Sequence, residues 1–367
     1  MKKFLDCISV VGTTPSRFQG TKKYVSTGAV AANEIDESEV VEVTYEERPS
    51  RANLSAEAGD ILFAKMQGTR KTLLLDSETE ENVYSTGFYA IRANPEVITT
   101  ECLYYLVDSE LFLAQKDKNC SGATQKAITN GGLAKIEIRV PPLSEQGILT
   151  DKLRYLTQLI ADKKKQLDLL DEVIKSRFIE LFGDPVYNTK KLPTKRLAEL
   201  GSLDRGRSQH RPRNAPELLG GPYPLIQTGE VANAGLYITG YSNTYSELGL
   251  KQSKIWKAGT LCITIAANIA QTSILTFDAC FPDSVVGFIP GDSISAIYMH
   301  YWFGFFQKIL EEQAPQVAQK NINLKILSDL SVVVPNQEQQ KDFIAFVEQT
   351  DKSKYHGEFT YEMEVAA

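Results

Sequence analysis

Two stretches of this chain carry cations with no carboxylate beside them. Between Asp6 and Glu34 no acidic residue occurs, while Arg17, Lys22 and Lys23 do; between Asp204 and Glu217 the ionised groups are Arg205, Arg207, Arg211 and Arg213. Displacing counterions from a phosphate backbone requires Lys and Arg of this kind. Either stretch alone reads equally well as a solvated basic face. Both lie just upstream of a T-G-x-V element, Thr27 to Val30 and Thr228 to Val231, and the recurrence favours contact with phosphates or base edges.

A second matched pair of segments follows an Ala-Gly landmark. Lys65, Gln67, Arg70 and Lys71 lie in the first, Asn268 and Gln271 in the second. Arg and Lys fork onto guanine O6 and N7, whereas Asn and Gln match adenine N6 and N7. Equivalent loops with unequal side chains would then read different short sequences; the competing reading is divergent surface loops. Gln125-Lys126 and Gln319-Lys320 recur at one point in each half, either approaching DNA or capping a helix.

Catalytic constellations are missing. Neither G-x-x-x-x-G-K-[ST] nor a strand followed by G-x-G-x-x-G occurs, which argues against nucleotide hydrolysis by this chain. The three His are scattered and the five Cys contain no C-x-x-C pair, so no metal site is expected, and the thiols read as buried and reduced. Asp184-Pro185-Val186-Tyr187 resembles the D-P-P-Y element of amino-group DNA methyltransferases. Val replaces the second Pro, however, and the position marks a helix stop.

The elements that position these residues come from a duplication. With 367 residues, 43% hydrophobic and 23% charged, the chain has room for two or three globular domains. Its net charge of −6 and pI near 5.4 do not advertise nucleic-acid binding, so any basic surface must be local. No signal-peptide pattern and no run of about 18 apolar residues is present, and a cytoplasmic protein is expected.

Landmarks recur in order at an offset of about 195 to 200 residues, too long for a solenoid. Val25 to Val30 returns as Ile226 to Val231, and Ala58 to Leu62 as Ala258 to Cys262. Ser85 to Phe88 returns as Val285 to Phe288, and Thr124 to Ile128 as Ala318 to Ile322. Gly12 matches Gly206. Each copy reads as short β-branched runs, then a helix and a last strand stopped by Pro, an α+β domain used twice.

Between the copies no Pro or Gly interrupts 148–182. Leu149, Leu153, Leu156, Ile160, Leu167, Leu170 and Ile174 follow steps of four and three interrupted at Lys163, a heptad seam on a helix on the order of 55 Å long. Such a seam needs a partner. Pro335 to Gln340 parallels Pro141 to Gln146, and Phe343 and Val347 then take the places of Leu149 and Leu153. The heptad stops near Lys354. The expected organisation is a domain over 1–143, a spacer helix over 144–183, a second domain over 184–336, a shortened helix over 337–354, and a tail over 355–367.

Taken together, the Ala-Thr-Gln-Lys-Ala-Ile stretch leading to Val140-Pro141-Pro142-Leu143-Ser144-Glu145-Gln146, its counterpart ending at Val334-Pro335, and Phe182-Gly183-Asp184-Pro185 make the chain resemble specificity subunits of type I restriction-modification systems. The resemblance implies two target recognition domains that each read half of a split double-stranded DNA site, and two coiled-coil helices that dock methyltransferase subunits. It implies no catalysis and no cofactor in this chain. S-adenosylmethionine would serve the modification subunit, ATP and Mg the restriction subunit. A standalone DNA-modifying enzyme and a scaffold for protein ligands remain the alternatives.

Overall fold

The computed structural model describes residues 1–366 except Thr124, Arg211, Asn214, Ala267, Asn268 and 314–321; along 308–313 and 352–366 it describes the backbone alone. Two compact units divide it, Met1–Ala161 and Asp162–Ala367.

The first unit holds two four-stranded sheets. Its strands are β1 (Ile8–Val11), β2 (Lys22–Val25), β3 (Val41–Val43), β4 (Ala52–Leu54), β5 (Ile61–Ala64), β6 (Thr72–Leu74), β7 (Val83–Ser85) and β8 (Phe88–Ala93). One sheet has the order β1-β8-β5-β6, antiparallel throughout. The other has the order β3-β2-β7-β4, with β2 and β7 parallel.

All of β5 is buried, because its alternating side chains serve two cores. Ile61 and Phe63 join Phe4, Ile91, Leu103 and Phe112 on one face, while Leu62 and Ala64 join Val25, Tyr84 and Phe88 on the other. Helices α1 (Thr100–Val107) and α2 (Glu110–Lys118) follow, each started by a side-chain cap. Thr99 Oγ1 accepts from Cys102 N at 3.3 Å and Ser109 Oγ from Phe112 N at 3.2 Å.

Helix α3 (Leu143–Phe182) is 40 residues long. It ends at Gly183, whose φ of 75° is the left-handed C-terminal geometry that favours glycine.

The second unit repeats the design. Its strands are β9 (Gly201–Arg205), β10 (Leu219–Leu225), β11 (Tyr237–Ile238), β12 (Asn243–Tyr245), β13 (Ile255–Trp256), β14 (Leu261–Thr264), β15 (Thr272–Leu275), β16 (Ala279–Cys280) and β17 (Val285–Pro290). The sheet orders β9-β17-β14-β15 and β12-β10-β16-β13 reproduce those of the first unit strand for strand, with β10 and β16 parallel. Strand β11 is added at the edge beside β15. Strand β14 again divides two cores, Leu261 and Ile263 on one side and Cys262 on the other. Helix α4 (Ala296–Gln313) follows.

Strand register corrects two of the sequence landmarks. Leu62 pairs with Ala90 and Cys262 with Gly287, so Gly287 corresponds to Ala90, three residues from Gly87. A Cβ at 287 would enter the Trp256 ring, which explains a glycine there. The same ladders match Val11 with Asp204, so Gly12 corresponds to Arg205 and not to Gly206. Helix α5 (Gln337–Ala366) also runs beyond Lys354, where the heptad pattern ends. No proline occurs after Pro335, so nothing in the segment blocks the helical backbone.

Candidate nucleic-acid interface

The loop between β5 and β6 carries Lys65, Gln67, Arg70 and Lys71, and the fold ties down each of them. Ala64 N donates to Lys71 O at 3.0 Å, closing the hairpin. Lys65 Nζ donates to Thr86 O at 2.9 Å and sits 4.6 Å from the Tyr89 ring centre; burial pushes its pKa down. Arg70 meets Asp108 at 2.9 and 3.2 Å and Glu110 at 3.0 Å, and its bonds to Asp108 lead in holding its pKa above the usual value. Lys71 Nζ donates to Thr27 O at 2.6 Å.

Helix α2 braces this loop from below. Lys116 is only 2% exposed, and its ammonium donates to Met66 O at 2.7 Å, Thr69 O at 2.9 Å and Ala64 O at 3.5 Å. Asp117 Oδ2 accepts from Gly68 N at 2.9 Å, and Asp117 O accepts from Gln67 Nε2 at 3.3 Å.

The structure brings Gln125-Lys126 to the same place. Gln67 N donates to Lys126 O at 3.0 Å, Ile128 N to Lys65 O at 2.9 Å, and Met66 bridges Ala127. Both Gln125 and Lys126 are exposed. The second unit has the same junction, with Ile322 N donating to Ile265 O at 3.1 Å. Its loop is tied differently, since Thr264 Oγ1 accepts from Gln271 N at 3.1 Å. Asn268, Gln319 and Lys320 lie outside the described residues.

The two acid-free stretches acquire carboxylates from elsewhere in the fold. Arg17 pairs with Glu46 at 2.8 Å, Lys22 with Glu81 at 3.2 Å and Lys23 with Glu37 at 2.8 Å. The hydrogen bond from Arg17 leads in holding the Glu46 carboxyl below the usual range. In the second unit Arg205 donates to Asp283 O and Arg213 pairs with the Asp283 carboxylate. Arg207 is exposed and forms no ion pair among the described residues; Arg211 lies outside them.

Along α3 the heptad seam is unevenly covered. Leu149 and Leu156 are 41% and 39% exposed, and Leu153, Ile160, Leu167 and Leu170 are half-buried. Ile174 is fully buried with Phe343 and Val347 of α5. Phe343 meets Phe178 and Phe182 with ring centres 5.4 and 5.5 Å apart, so the start of α5 lies against the end of α3.

Asp184 is occupied by the helix stop. Its Oδ1 accepts from Val186 N at 2.8 Å and Tyr187 N at 3.2 Å. Among the described residues no group of three or more His, Cys, Asp or Glu is placed to hold a metal, and no helix is long and apolar enough to cross a membrane. Cys7, Cys102, Cys262 and Cys280 are buried and Cys120 half-buried, all as free thiols.

Sequence reasoning missed Lys116, which looks like any surface lysine on a short helix, and also the bonding of Gln146 and Gln340. The glutamines could have been found, since they stand at equivalent positions after equivalent prolines.

Comparison with known proteins agrees with the duplication. Residues 11–171 and 190–357 each match the family described as "Type I restriction modification DNA specificity domain". The chain is 21% identical over 305 residues to the MjaX type I restriction enzyme specificity subunit of Methanocaldococcus jannaschii, covering 77% of this chain and 69% of that one. It is 24% identical over 270 residues to the EcoBI specificity subunit of Escherichia coli, covering 65% and 56%. In fold it is similar to the type I restriction-modification S subunit from M. genitalium, with a TM-score of 0.55 at 12% identity over 100% of this chain and 92% of that one. A chain solved in work on assembly and conformational transition of the type I R-M system has a TM-score of 0.50 at 19% identity, over 98% and 95%. Two matched copies of the domain, filling most of its length, place this chain in the family of type I restriction-modification specificity subunits.

Proposed function

We propose that this chain supplies the DNA specificity of a type I restriction-modification complex, each unit reading one part of a bipartite double-stranded site. Residues 1–143 are the first reader, 184–336 the second, and the helices over 144–183 and 337–354 pair as a coiled-coil spacer that docks methyltransferase subunits. The chain itself makes and breaks no bond. S-adenosylmethionine belongs to the methyltransferase, ATP and Mg to the restriction subunit, and the assembly works in the cytoplasm.

The observation that carries this reading is the repetition of both sheet orders, with the β5–β6 and β14–β15 loops each joined to the segment that follows the helices. Two equivalent scaffolds with different side chains at one junction suit two half-sites of different sequence. Arg205 and Arg207 supply phosphate contact directly, and Arg17, Lys22, Lys23 and Arg213 do so once DNA competes for their carboxylate partners.

The test exchanges residues 1–143 for those of a relative with another target and maps methylated adenines in cells carrying the methyltransferase. One altered half-site is expected; alteration of both counts against the reading. A standalone modifying enzyme would instead transfer a labelled methyl group with no partner present, and Asp184 would be needed for it.

A further inference from the structure

Lys116 stands out among the buried residues because no core needs a cation there. Burying an ammonium is costly unless each of its donors is used, and here three carbonyls, of Ala64, Met66 and Thr69, surround it. Its neighbour Asp117 lies 3.3 Å away and holds Gly68 N. The pair therefore grips the 64–69 backbone from both sides, carbonyls on the ammonium and an amide on the carboxylate. At the equivalent hairpin of the second unit Thr264 Oγ1 accepts from Gln271 N at 3.1 Å, and the α4 side chains from 308 onward lie outside the described residues.

What the grip controls is the neighbouring segment. Gln67 N and Met66 are the groups that bind Lys126 O and Ala127, and Gln125 and Lys126 are exposed on that segment. The side chains of Lys65, Gln67, Arg70 and Lys71 point back into the fold as struts. We infer that Lys116, with Asp117, is a positioning residue for DNA specificity: it sets the 64–69 backbone and through it the presentation of Gln125 and Lys126 to the half-site read by the first unit. This rests on the DNA-reading assignment above.

The test uses the full chain assembled with its methyltransferase subunits, with methylated sites mapped for Lys116→Met, Lys116→Arg and Asp117→Ala. Base preference at the half-site read by residues 1–143 should fall about tenfold in Lys116→Met and Asp117→Ala, with the other half-site unchanged. Lys116→Arg, which keeps charged donors, should recover most of it. Asp117→Ala leaves the core position filled and gives the answer even where Lys116→Met does not fold. Unchanged preference in Asp117→Ala, or equal loss at both half-sites, overturns the inference. A wild-type complex that methylates no two-part site defeats the functional reading instead.

Discussion

Gln146 and Gln340 make the same three hydrogen bonds in their respective units. Gln146 Oε1 accepts from Thr99 N at 2.7 Å while Nε2 donates to Val97 O and Pro141 O at 3.1 and 2.9 Å. Gln340 Oε1 accepts from Ser295 N at 3.1 Å while Nε2 donates to Ser293 O and Pro335 O at 3.0 and 3.1 Å. Thr99 and Ser295 both supply capping oxygens, to α1 and α4, so each glutamine takes the half of a capping box that normally comes from inside the helix. Both side chains are buried, which removes water as a substitute partner.

Gln146→Leu and Gln340→Leu should each destabilise their own unit by about 2–4 kcal/mol, since each strands a buried amide and two carbonyls. Amide hydrogen exchange resolves the two cases. Exchange in 97–103 should accelerate for the first variant and in 293–299 for the second.

Salt dependence distinguishes free cations from paired ones. Arg207→Ala and Lys126→Ala should weaken binding of the assembled complex across DNA sequences and reduce the slope of log Kobs against log salt by about 1 each. Arg17→Ala should move the slope less, because Glu46 already neutralises Arg17. Fluorescence anisotropy at several salt concentrations provides the slopes.

Asp204 and Lys254 give the second unit a pH-dependent tie. The hydrogen bond from Lys254, at 2.9 Å, leads in holding the Asp204 carboxyl below its usual range. A depressed carboxyl contributes stability above its unfolded pKa of about 3.9 and loses it as pH falls through the folded value. The pair is half-exposed and screened by solvent, so the contribution is under about 1 kcal/mol. Asp204→Asn should therefore lower the melting temperature slightly at pH 7 and reduce the difference from wild type as acid titrates the native carboxyl.

At the end of α3, Gly183→Ala forces a Cβ into left-handed backbone and against Thr189, at a cost of about 1–3 kcal/mol in thermal unfolding. Asp184→Ala should leave methylation by the assembled complex intact. A methylation defect at unchanged stability would revive a catalytic role for Asp184.

The duplication and the long helix were legible because ordered landmarks and heptad spacing are written along the chain. Alignment inside the copies was less so: the Trp256 ring that fixes Gly287 is contributed by another strand, and only ladder pairing reveals the three-residue shift. The candidate site failed in a similar way. Arg17, Lys22 and Lys23 look acid-free in sequence, yet Glu46, Glu81 and Glu37 reach them across β-strands and loops. Lys116 could not be told from Lys118 two residues on, because burial of a lysine depends on carbonyls that the hairpin at 64–69 supplies.

Cysteine placement gives the first unit a natural spectroscopic handle. Four thiols are sealed in the cores, whereas Cys120 is partly open, immediately precedes the Ser121–Ala127 turn, and has a thiol pKa raised chiefly by burial. A thiol-reactive dye applied under mildly alkaline conditions would then attach beside Gln125 and Lys126 without an introduced cysteine, turning the chain's own chemistry into a reporter of what happens at that turn when DNA arrives.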